Sequence, residues 1–201
     1  MTSRLPGRPL PGDPTPGDLT PGRPSLPAGD FGPSYLQACI DAEIPLAKAI
    51  GVVVERADDE TLVLSAPRGP NANHKGTAFG GSLYCLAVLT GWAWATRYLA
   101  RNGIAADAVV QESDVEFLAP VHGELRAHLI TPSAADIDKF RKMLERSGRG
   151  RIPLRVELRT AAVAAAQVAA AQIVAAQAGA AHAVAVRFDG RFAAALRARS
   201  S

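Results

Sequence analysis

The stretch "NANHKGTAFGGSLYCLAVL", residues 71–89, sets polar and small residues directly against an apolar run. From residue 79 to residue 99 apolar side chains recur nearly all round a helical wheel, and this spacing predicts a helix about 30 Å long at about 1.5 Å per residue. Such a helix must be buried on most sides. A membrane span would need about 20 strongly apolar residues; here Gly76, Thr77, Gly80, Gly81, Ser82, Thr90, Gly91 and Thr96 dilute the run. The other stretch without Asp, Glu, Lys or Arg, residues 160–186, is mostly alanine broken by Gln167, Gln172, Gln177 and His182, and reads as no span either.

Outward from that helix the pattern is one of strands. "VVVERADDETLVLSA" reads as a hairpin turning between Arg56 and Glu60. In "DAVVQESDVEFLAP" strict alternation would put Val109, Gln111, Ser113, Val115 and Phe117 on one face and Val110, Glu112, Asp114 and Glu116 on the other. "GELRAHLIT" alternates with Leu125, Ala127 and Leu129 inward, "RIPLRVELR" with Ile152, Leu154, Val156 and Leu158 inward, and "AVAVRFDGRFAAAL" closes the set. Two further helices are expected. One opens near Ser34 as a serine cap, breaks at Pro45 and stops at Gly51; the other, "SAADIDKFRKMLERSG", has Ser133 three residues before Asp136 as a capping box, Ile137, Phe140 and Leu144 on one face, and Gly148 past its end. The class is α+β. A long buried helix with about six antiparallel strands resembles the hot-dog fold, in which a curled sheet wraps one helix.

The 201 residues suit one domain with an appendage. Residues 1–33, with their Pro-Gly repeats, are expected to be a disordered tail, and 34–201 a single domain carrying an alanine- and glutamine-rich insert at 163–181. A net charge of +3 and the lack of a basic, aromatic-interleaved helix argue against nucleic acid. Cys39 and Cys85 have no partner at disulfide or metal spacing and read as reduced thiols; with no apolar export segment at the start, a cytoplasmic protein is expected. No metal and no cofactor is called for.

The chemistry concentrates at the start of the long helix. Its first four N–H groups have no intrahelical partner, and Gly80 and Gly81 leave nothing on Cβ to block a ligand. A carbonyl docked there meets hydrogen-bond donors and the positive end of the helix dipole, which suits attack on an ester or thioester. Tight helix–sheet packing is the alternative explanation of the two glycines. The spacing is neither a P-loop nor a G-x-S-x-G elbow.

The blocks "IPLAKAIGV", "APRGPNANHKGTAFGGSLYCLAVLTGWA", "DVEFLAPVHGEL" and "GRGRIPLRVELR" resemble the YiiD C-terminal family of hot-dog thioesterases. That resemblance implies a thioesterase acting on acyl-CoA or an acyl carrier protein, assembled as a homodimer or higher homo-oligomer. It also implies an asparagine upstream of the aromatic-Gly-Gly turn, which is Asn73, and an acidic-Ser pair on the following strand, which is Glu112 and Ser113. In better-characterised hot-dog thioesterases an aspartate stands nine residues after the aromatic; here that position is Val88, so the general base must lie elsewhere. The candidate catalytic residues are Asn73, His74, Gly81 and Glu112, with the Gly81 N–H and the Asn73 side chain holding the thioester carbonyl and Glu112 or, failing that, His74 as base. Lys75, Phe79, Gly80, Ser82 and Ser113 are candidate substrate contacts. Arg141, Lys142, Arg146, Arg149 and Arg151 form a basic group that is either a solvated face or a site for coenzyme A phosphates or an acidic carrier. A non-catalytic acyl-CoA binder or regulator is the alternative, and a dehydratase using His74 or His122 a weaker one.

Overall fold

The computed structural model describes residues 31–161 and 182–197. The elements are α1 (Pro33–Glu43), α2 (Pro45–Ala49), β1 (Val53–Ala57), β2 (Leu62–Ala66), α3 (Gly80–Arg101), β3 (Ala106–Phe117), β4 (Leu125–Ile130), α4 (Ala134–Ser147), β5 (Arg149–Ala161) and β6 (His182–Leu196). Of the expected tail, residues 1–30 lie outside the described residues, as does the whole insert at 163–181.

The strands form one antiparallel sheet in the order β1-β2-β4-β5-β6-β3. The chain leaves β2 near one edge, runs through α3, and re-enters as β3 at the other edge. α3 packs against every strand from β2 through β6, so the sheet curls around it in the hot-dog arrangement. Leu83, Leu86, Ala87, Leu89, Ala93 and Leu99 of α3 are buried in that trough. The trough is narrow at two points. A Cβ on Gly91 would lie 2.4 Å from the ring of Phe192, and one on Gly190 would lie 2.5 Å from the ring of Phe188. Both rings are almost wholly buried, so neither can move aside cheaply.

α4 closes the far end of the trough. Ser133 caps it by accepting from the Asp136 N–H at 3.1 Å, Gly148 ends it in the left-handed conformation at φ 67°, and Phe140 and Leu144 are buried over Gly150. Phe140 meets Tyr98, whose ring stacks on Trp94; these aromatics belong to the core at the C-terminal half of α3 and not to an acyl pocket at its start. At the same end Asp59, in the β1–β2 turn, is held by both Arg97 and Arg101.

Two expectations are corrected. α1 takes Gly32, not Ser34, as its N-cap, because Pro33 occupies the first helical position, where its fixed φ and missing N–H cost nothing. β3 does not alternate throughout. A bulge between Val110 and Glu112 leaves Gln111 without a partner on β6. Ala106 and Ala108 are buried before the bulge, with Val109 58% exposed, whereas beyond it Ser113 faces α3 and Glu112 the outer side, as their bonding partners show. One extra residue reverses the faces.

The two sheet edges are treated differently. At β1 the side chain of Gln37 accepts from the Val54 N–H at 2.8 Å and donates to the Val52 carbonyl at 3.2 Å, so α1 occupies the strand's free hydrogen-bonding groups. β3, at the other edge, is 12 residues long and has no such cover among the described residues.

Gly91→Ala should lower stability by about 1–3 kcal/mol by overpacking against Phe192. Urea unfolding checks this, with a fall in the midpoint at unchanged slope as the expected outcome.

Candidate functional site at the start of α3

The loop 71–79 is built by its asparagines. Asn71 is buried; its side-chain Nδ2 donates to the carbonyls of Ile50 at 2.8 Å and Pro67 at 2.7 Å, and its backbone carbonyl accepts from the Phe79 N–H at 2.7 Å. Ala78 donates its N–H to the Val121 carbonyl at 2.8 Å. Within this frame Asn73 closes a turn, with Gly76 at φ 73°. Asn73 Oδ1 accepts from the N–H of Lys75 at 2.8 Å and of Thr77 at 3.3 Å; its Nδ2 donates to Thr77 Oγ1 at 2.8 Å and to the Ala78 carbonyl at 3.2 Å. The side chain expected to hold a substrate carbonyl is thus spent inside its own loop.

α3 follows with Phe79 as N-cap in an extended conformation, φ −72° and ψ 133°. The Phe79 carbonyl accepts from the N–H groups of Ser82 at 3.0 Å and Leu83 at 3.1 Å. Among the described residues no acceptor serves the amides of Gly80 and Gly81. Their surroundings are apolar. The Phe79 ring folds back so that a Cβ on Gly81 would lie 2.4 Å from it, and the Phe117 ring stands 3.5 Å from where a Gly80 Cβ would be. Two rings therefore flank two free donors; both rings are more than half exposed and Gly81 is exposed, so the water-poor setting in which a hydrogen bond to a developing oxyanion is strongest arises only when another surface covers this end.

One turn further on, Tyr84 Oη and Ser113 Oγ are 2.9 Å apart, linking α3 to β3. The Tyr84 ring lies against Phe188 with centroids 5.9 Å apart. Cys85 is no candidate nucleophile: burial raises its thiol pKa and so disfavours the thiolate.

Of the residues expected from sequence, the structure brings Asn73, Phe79, Gly80, Gly81, Ser82 and Ser113 to one end of α3, with Ser82 half-buried in its first turn. His74 and Lys75 are exposed on the adjoining loop, and His122 is exposed as well. Glu112 is not part of the group. It lies on the outer face of the sheet, 2.5 Å from Arg191. Nor is the basic cluster close by: Arg141 and Lys142 sit on α4 at the opposite end of α3, engaged by Asp138, with Arg141 also on Glu145. Sequence reasoning missed Asn71 as an anchor and Tyr84 as a polar member. The position of Tyr84, four residues after Gly80 and therefore on the same helix face, was the available signal for the second.

Residues 33–196 match the family model described as "Putative thioesterase (yiiD_Cterm)". The chain belongs to this family. Among solved structures, a protein of unknown function from Chlorobaculum tepidum is similar at 29% identity and TM-score 0.70, over 83% of this chain and 98% of that one. A protein described as a "putative thioesterase" from Shewanella oneidensis is similar at 21% identity and TM-score 0.65, over 82% and 97%. A thioesterase from Haemophilus influenzae shares the fold at 12% identity and TM-score 0.58, over 86% and 97%. The YiiD C-terminal match spans α1 to β6 and contains every residue of the α3 end.

Because the amide of Asn73 fixes the loop, Asn73→Ala should lower stability by about 1–2 kcal/mol through the lost acceptor for two N–H groups. Thermal unfolding measures it; an unchanged midpoint would mean that those bonds contribute nothing to the loop.

Proposed function

We propose that this chain hydrolyses an acyl thioester of coenzyme A or of an acyl carrier protein, with the carbonyl oxygen held on the Gly80 and Gly81 amides. The observation that carries the reading is that these two donors are unpartnered and flanked by Phe79 and Phe117 in a chain of a thioesterase family. The helix dipole adds favourable charge at the same place. Phe79 and Phe117 form the walls against the acyl chain, and Asn73 sets the loop that aims the helix.

The reading includes a homodimer formed across β3. Phe79, Phe117 and Leu118 are each more than half exposed, at 57%, 53% and 52%, around the open edge of the sheet. A long uncovered edge strand beside exposed aromatic side chains is costly for an isolated molecule and is relieved by pairing with a second copy.

A second reading, an acyl-CoA binder without turnover, is favoured by Val88 on α3 and by the outward Glu112, since no carboxylate accompanies the donors. Release of free thiol from a panel of acyl-CoAs separates the two. Proline substitution tests the donors directly. Gly80 is the first helical position and Phe79 is already extended as the residue before a proline must be, so Gly80→Pro removes an N–H with little change in backbone. In Gly81→Pro the exposed Phe79 ring must also swing aside. At least one of the two variants should remain folded and lose about 10²–10³ in kcat. Undiminished turnover in both would end the proposal, and light scattering showing a monomer would end its dimeric part.

A further inference from the structure

A carbonyl held on the Gly80 and Gly81 amides still needs a water placed for attack, and among the described residues the usual holder, a carboxylate, is missing from this face. Glu112 is engaged by Arg191 at 2.5 Å and Glu116 by Arg187 at 2.7 Å, both on the outer side of the sheet. Asp114 lies opposite Asp189 on that same side. Position 88 is valine.

Two hydroxyls meet one turn beyond the glycines. Tyr84 follows Gly80 by four residues and so lies on the same face of α3, and its side chain leans toward the helix N-terminus as helical side chains do. Its hydroxyl meets that of Ser113 at 2.9 Å, and among the described residues this is the one side-chain hydrogen bond between α3 and β3. Both residues are exposed, Tyr84 at 36%, so the bond is not a buried strut. The ring is steered by the wholly buried Phe188.

The bulge in β3 is an independent observation that points the same way. Before it, the even-numbered Ala106 and Ala108 face inward. Continued alternation would carry Glu112 and Asp114 to the inner face; the unpaired Gln111 instead delivers Ser113 there. Bulges re-aim side chains next to active sites.

We propose that Tyr84 and Ser113 form a water-holding pair for thioester hydrolysis, an inference that rests on the thioesterase reading above. The water oxygen bonds to the carbonyl carbon as the carbonyl electron pair moves to the oxygen held by the amides. Its proton passes to Ser113 Oγ as the Ser113 proton passes to Tyr84 Oη and the Tyr84 proton goes to the departing sulfur. The carbon–sulfur bond breaks when the oxyanion collapses, giving a carboxylic acid and a thiol with both hydroxyls restored.

The test is steady-state kinetics on an acyl-CoA that the wild type hydrolyses, with Tyr84→Phe, Ser113→Ala, the double variant and Ser113→Thr. Tyr84→Phe keeps the ring against Phe188, and thermal unfolding checks that each variant is folded. The expected outcome is a fall of about 10²-fold in kcat for either single change with KM within about twofold. The double variant should be no worse than the poorer single, because a pair acting as a unit is lost once, and Ser113→Thr should recover most of the rate. Unchanged kcat in Tyr84→Phe, or a raised KM at constant kcat, overturns the pair while leaving thioester hydrolysis standing. A wild type that releases no thiol from any acyl-CoA or acyl carrier thioester overturns both.

Discussion

The backbone hydrogen bonding is interrupted at the start of α3, and that interruption organises the site. Phe79 enters α3 extended, with its N–H on the Asn71 carbonyl and its own carbonyl shared by Ser82 and Leu83. The Thr77 carbonyl, which could have turned back toward the helix, accepts instead from the N–H of Asn73. Gly80 and Gly81 are left without an acceptor among the described residues, open to water. In an exposed first turn that costs little; beside two aromatic rings it creates a position where a ligand oxygen can replace the water with gain. The asparagines therefore act on chemistry through geometry, by keeping carbonyls away from two donors.

The same end of the molecule is where the sheet is left open. α1 occupies hydrogen-bonding groups at the β1 edge through Gln37, while among the described residues β3 runs uncovered past Ser113 and Phe117. If both edges were open the chain would be prone to indiscriminate strand addition; with one blunted, any pairing would have a single direction and would close with two copies. Pairing there would also bring a second surface against the exposed Phe79 and Phe117 rings. Edge and site are thus one problem, and a homodimer would solve both.

Much of this was legible in the sequence because single local rules governed it. α3 was readable from its all-round apolar pattern, α4 from Ser133, Asp136 and Gly148, and the inward faces of β4 and β5 from strict alternation. The candidate site was legible as a location through Gly80 and Gly81 and as chemistry only in part. The expectation for Glu112 failed as geometry because alternation holds only while the register holds, and nothing in "AVVQESDV" announces that Gln111 is the extra residue. The role of Asn73 was misjudged for a related reason: an amide that can reach its own backbone three to five residues on usually does so. Gln37 could not have been found, nor the bond from Asn71 to Ile50, since those partners lie 15 to 21 residues away in chain order.

The outward carboxylates raise a question of cause. Glu112 with Arg191, Asp189 with Arg155 and Glu116 with Arg187 make a row of ion pairs across the outer sheet, and it is tempting to credit those pairs with turning β3. The magnitudes argue otherwise. Exposed pairs of this kind contribute about 0–1 kcal/mol each, whereas a slip that placed Val109 inward in place of Ala108 would force larger side chains into a sheet whose Phe192 ring already presses on Gly91 of α3. Packing before the bulge requires the small residues Ala106 and Ala108 inside; after it, the bulk of Phe117 against Gly80 requires the odd positions inside. Those two demands are out of phase by one residue, and a bulge is the least disruptive way to meet both. The ion pairs are then a consequence of the phase change, and so is the presence of a serine, not a glutamate, beside Tyr84.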